Sequence, residues 1–101
     1  MSKNEKIIKN TFESGSVRDG LLFLTTCVRN AFPDFNFRGI EIVRLVTSRK
    51  VIEGKSWNHS FVIRYGEIAG APVWNVSCHR VSHGETTDKT AVLDGNTLEL
   101  K

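Results

Sequence analysis

The sequence predicts an α+β protein in which two N-terminal helices, one short and one long, pack on one face of an antiparallel β-meander of about four strands. Three observations predict it. Apolar residues recur at helical spacing as far as Phe32, the period shortens to two from Phe37 onward, and the later segments follow one another with only turn chemistry between them. At 101 residues the chain fits a single domain spanning 1–101, one long enough to bury roughly 65% of its unfolded surface without disulfides or metals.

The first element is a short helix. Ser2-Lys3-Asn4-Glu5 has the spacing of a capping box, with a hydroxyl at the N-cap and a carboxylate three residues on. Ile7, Ile8 and Phe12 then form a narrow apolar edge, and Ser14-Gly15 breaks the helix. In the second helix Ser16 caps the first turn with Asp19 at the third helical position. Val17, Leu21, Leu24, Val28 and Ala31 recur at spacings of four and three, and Leu22, Cys27 and Phe32 widen the stripe. Pro33 ends it, because the residue before a proline avoids the helical region.

Arg38 to Ser48 reads as a long strand rich in β-branched residues. Ile40 and Ile42 point one way while Val43 and Leu45 point the other, so either both faces are covered or a bulge shifts the phase near Val43. Glu53-Gly54-Lys55-Ser56 supplies turn chemistry. In the next strand Trp57, His59, Phe61, Ile63 and Tyr65 share one face. Gly66 to Pro72 reads as a loop, Val73 to Val81 as a strand, and Ser82 to Lys89 as the longest loop. Thr90 to Leu93 can pair with Thr97 to Leu100 across Asp94-Gly95-Asn96. The expected core is Leu21, Leu24, Val28, Ile40, Ile42, Phe61, Ile63, Trp74 and Val76.

Alternation then fixes the opposite face. Ser60, Val62, Arg64, Asn75, Ser77 and His79 point outward, joined by Glu41, Val43 and Leu45. Such a face could receive a protein partner, a second copy of the chain as a homodimer, or a modest ligand, because polar groups fix orientation while Val and Leu supply desolvated area. The expected contacts are Val43, Leu45, Val62, Arg64, Asn75 and His79, in a binding protein that is not an enzyme. A solvated outer face would need no function.

Charge supplies the alternative. The net charge is +3, and Arg38, Arg44, Arg49, Lys50 and Lys55 outnumber Glu41 and Glu53 within 38–55. This segment could neutralise nucleic-acid phosphates. Basic side chains also guard exposed strands against edge pairing, and Trp57 and Phe61, which could stack on bases, look committed to the core.

Other chemistry finds little support in the residues. Cys78-His79-Arg80-Val81-Ser82-His83 holds three metal-ligating types, but neighbours on a strand point to opposite faces and cannot converge on one ion. Cys27 and Cys78 sit among apolar neighbours, as buried thiols of a reducing compartment do. His59, between Trp57 and Phe61, reads as a satisfied, partly buried histidine. Gly66-Glu67-Ile68-Ala69-Gly70 lacks the lysine and hydroxyl of a phosphate loop, so neither metal nor cofactor is expected. No segment approaches the roughly 18 apolar residues of a membrane span, and MSKNEKIIKN lacks the apolar stretch of a secretory signal. A cytoplasmic location is the expectation.

Overall fold

A computed structural model of the chain describes residues 3–94 and 97–100. Two helices, α1 (Lys3–Glu13) and α2 (Val17–Ala31), precede six strands: β1 (Glu41–Val46), β2 (Val51–Ser56), β3 (His59–Ile68), β4 (Ala71–Arg80), β5 (Glu85–Asp94) and β6 (Thr97–Leu100). The strands form one antiparallel sheet in sequence order, each paired with the next. The α+β meander is therefore as the sequence predicts, with six strands in place of about four. Among the described residues no helix is long and apolar enough to cross a membrane.

Ser2, the expected cap of α1, lies outside the described residues. Phe12 is buried, and Thr11, also buried, satisfies its hydroxyl by donating to the Ile7 carbonyl (2.8 Å). At the start of α2 the Ser16 hydroxyl accepts from the Asp19 amide (3.2 Å), as the cap spacing requires. The helix stops at Ala31, two residues before Pro33.

The buried face of α2 differs from the expected stripe. Gly20, Phe23, Leu24, Cys27, Val28 and Ala31 are covered, whereas Val17 and Leu21 are exposed. The cause is a close approach at Gly20, where an added Cβ would lie 3.2 Å from Ile42 Cδ1 and 3.3 Å from Thr11 Cγ2. With its glycine facing β1 and α1, α2 turns Phe23 rather than Leu21 toward the sheet.

β1 begins at Glu41, leaving Arg38 in the preceding loop. Its pairing with β2 skips a residue between Ile42 and Arg44, so Val43 is the bulge. Past the bulge the faces exchange: Arg44 points outward and Leu45 inward, half-buried against the core with Ile40 and Ile42. Leu45 is thus removed from the expected outer-face set.

Three expected turns are strand instead. The β1–β2 turn is residues 47–50, not 53–56, and Glu53 and Gly54 lie within β2. Gly54 is there for space: a Cβ would overlap Leu24 and lie 2.8 Å from the Glu41 carbonyl oxygen. The expected loop at 66–72 contracts to a tight turn in which Ala69 (φ 52°) and Gly70 (φ 80°) both take positive φ, the geometry of a type I′ hairpin. Most of the expected 82–89 loop is β5, entered through a short 3-10 turn at Val81–His83 and Gly84 (φ 62°). The expected hairpin of Thr90–Leu93 with Thr97–Leu100 forms one residue along, as Ala91–Asp94 paired with Thr97–Leu100, so that Asp94 belongs to the ladder; Gly95 and Asn96 lie outside the described residues.

The core lies between the helices and the sheet. Trp74 is its centre, stacked on Phe12 (5.5 Å between centroids, 11° between planes) with Phe23 (4.9 Å) and Tyr65 (5.1 Å) edge-on. Leu24, Val28, Ile52, Phe61, Ile63 and Val76 complete the layer.

Candidate functional site

The uncovered face of the sheet is built from cross-strand rows, because residues paired in register point the same way. One row runs Val46, Val51, Arg64, Asn75, Thr90; the next Arg44, Glu53, Val62, Ser77, Asp88; a third Glu41, Lys55, Ser60, His79, Thr86. Of the outer-face residues the sequence singled out, Val62, Arg64, Asn75 and His79 share this face, and Val43, 61% exposed, sits at its edge. The His79 ring nitrogen Nδ1 lies 2.8 Å from Thr86 Oγ1, which fixes the imidazole along the sheet.

Two sets of candidates meet here. Arg44, Arg49 and Arg64 surround a depression of about 200 Å³ floored by Val46, Val51 and Val62, with Glu53 the single acid among its lining residues. Arg44 and Glu53 approach to 3.8 Å across β1 and β2, an exposed contact that leaves most of the guanidinium available. The basic 38–55 segment does not act as one patch. Lys50 leaves the face to lie over the Tyr65 ring (4.5 Å), and Arg38 and Lys55 belong to the opposite end of β2.

At that opposite end lies a second cleft, of about 470 Å³, between the loop 35–38 and the tip of the β2–β3 hairpin. Ser56 pairs with His59, so Trp57 and Asn58 form the turn and Trp57 is 91% exposed. Its expected place in the core is thereby overturned: alternation has no meaning at a turn residue, whose side chain has no sheet face to join. Phe37 is buried with its ring edge-on to Phe61 (4.9 Å), and the more exposed Phe35 stacks on Phe37 (5.5 Å, 12°). The tip is held firmly. Asn58 donates from Nδ2 to Ser82 Oγ (2.7 Å), accepts at Oδ1 from the Ser82 amide (3.2 Å), and accepts at its carbonyl from the Val81 amide (3.0 Å).

His59 lines the same cleft, packed edge-on to Phe37 (5.0 Å) and Phe35 (5.6 Å). It is partly buried, but it is not satisfied: its Nε2 is buried and finds no hydrogen-bond partner among the described residues. Burial, with the Arg80 charge as a lesser cause, lowers its pKa below the ordinary value.

The cysteines are free and buried. Cys78 and His79 occupy opposite faces of β4, and among the described residues no three His, Cys, Asp or Glu gather as a metal would require. Burial pushes both thiols up, away from the thiolate that nucleophilic chemistry needs. Compared with known protein families, curated proteins and solved structures, the chain finds no match.

Proposed function

We propose that this chain is a non-enzymatic binding protein whose open sheet face holds an acidic, partly apolar segment of a protein partner. The observation that carries the reading is the convergence of Arg44, Arg49 and Arg64 around a valine floor on the face the helices leave uncovered. Guanidinium groups on a rigid sheet can each grip a carboxylate bidentately, while Val46, Val51 and Val62 contribute apolar area. Asn75 and His79 extend the polar surface beside them.

A partner of opposite charge fits this patch better than a second copy of the chain. A two-fold axis through the depression would set Arg44, Arg49 and Arg64 against their own copies, and only a dimer with its axis elsewhere on the face would bring them to Glu53 or Asp88 instead. The test is anisotropy of a labelled peptide alternating Glu and Val, at low salt. Binding should weaken as salt rises and fall about tenfold for Arg64→Glu, with circular dichroism unchanged. Unchanged affinity in Arg64→Glu and Arg44→Glu would sink the reading. Light scattering adds a second arm, in which a dimer dispersed by Val43→Glu would assign the face to self-association instead.

A further inference from the structure

We propose a second, separate site: the cleft at the β2–β3 hairpin tip binds single-stranded nucleic acid, with one base stacked on Trp57 and the adjoining phosphate facing Arg38 and Lys55. This goes beyond the outer-face reading, and of the residues it uses only Lys55 belongs to a row of that face.

Trp57 is the first argument. An indole 91% exposed forgoes the burial that drives tryptophan into interfaces, and it projects from a turn that Asn58 ties to residues 81 and 82. The turn that carries the ring is pinned, so the backbone share of the ordering cost has already been met by the fold. The second argument is the space beside it. The cleft of about 470 Å³ is walled by Phe35 and Phe37, room for a flat ring on the scale of a base. The third is charge. An adjoining depression that shares Arg38, Ser56 and Trp57 with the cleft is lined by Arg38 and Lys55 against the single acid Glu41. Aromatic platforms bordered by cations are what single strands require: stacking accepts any base, and the cations follow the backbone. A duplex keeps its bases within their own stack and offers Trp57 nothing. An acidic peptide would satisfy Arg38 and Lys55 but has no ring for the indole.

The experiment uses the full chain and a labelled six-residue oligothymidylate at about 50 mM salt, where phosphate contacts are strongest. Anisotropy should report binding, and tryptophan emission should be quenched, a signal specific to Trp57 because Trp74 is buried in the core. Trp57→Ala should weaken binding by about tenfold or more, Trp57→Phe by much less, and Arg38→Glu or Lys55→Glu should weaken it and flatten its salt dependence. Circular dichroism should be unchanged throughout, since all three side chains are exposed. No binding or no quench overturns the proposal, as does an affinity unaltered in Trp57→Ala. Equal competition by a blunt-ended duplex, by thymidine monophosphate or by polyglutamate would also overturn it, since each removes the need for a strand. If Arg64→Glu abolishes oligonucleotide binding while Trp57→Ala does not, the phosphates are held on the outer face and this site is not theirs.

Discussion

The chain's two tryptophans differ as far as two residues of one type can. Trp74 is 1% exposed and touches Phe12, Phe23 and Tyr65, while Trp57 is 91% exposed at the tip of a hairpin. Both stand in apolar–polar alternations that look alike in sequence. What separates them is position along the strand: Trp74 has a partner residue on each side in β3 and β5, so the sheet dictates its direction, whereas Trp57 lies between Ser56 and His59, where the ladder ends. Alternation is a rule about residues inside a ladder, and it lapses one position beyond.

The sharpest way to break this contrast is to remove each ring in turn. Trp74→Ala should cost about 3–5 kcal/mol in urea unfolding through loss of burial and the cavity left behind. Trp57→Ala should change stability by less than about 0.5 kcal/mol. Equal losses would mean that the tip is packed. Next in size, Gly54→Ala should destabilise by about 1–3 kcal/mol, because its Cβ would press on Leu24 and on the Glu41 carbonyl; a neutral result would place α2 farther from β2 than the structure has it. The opposite hairpin end offers a smaller, favourable change. Ala69 holds φ 52°, so Ala69→Gly should raise stability by up to about 1 kcal/mol, measured as a higher urea midpoint with unchanged slope.

The smallest effect is a pH dependence confined to the Trp57 end. The folded-state pKa of His59 lies below its unfolded value of 6.5, so the unfolded chain binds more protons between the two. Stability should therefore be full above about pH 6.5 and decline as pH falls toward the folded pKa. His59→Phe should flatten that slope in thermal melts between pH 5 and 8. A slope that persists in the variant would assign it to another group.

Much of the architecture was legible because it follows from one-dimensional patterns. The Ser16 cap, the stop before Pro33 and the inward directions of Phe61, Ile63, Trp74 and Val76 each follow from spacing alone, whereas at Val43 spacing left a bulge and a strand covered on both faces as equal alternatives. The turns were less legible because glycine marks two different needs. Gly70 serves a positive φ, but Gly54 and Gly20 serve close approach to another element, and nothing in the sequence tells these apart. The arginine cluster draws on the turn 47–50 and two separate strands, β1 and β3, and only the register brings Arg64 beside Arg44 and Arg49. Trp57 could have been found from Asn58, a turn-prone residue between two extended runs.

The extra residue at Val43 works like a frameshift for sidedness. Upstream of it, odd and even positions carry one meaning; downstream they carry the reverse, and that reversal alone sends Arg44 to solvent and Leu45 under α2. Deletion scanning along Glu41–Val46 should thus meet tolerance only at the bulge. Excising Val43 or Arg44 would close the ladder while keeping every remaining neighbour on its own side, but excising Leu45 would set Arg44 opposite Ile52 and move a guanidinium beneath the helix.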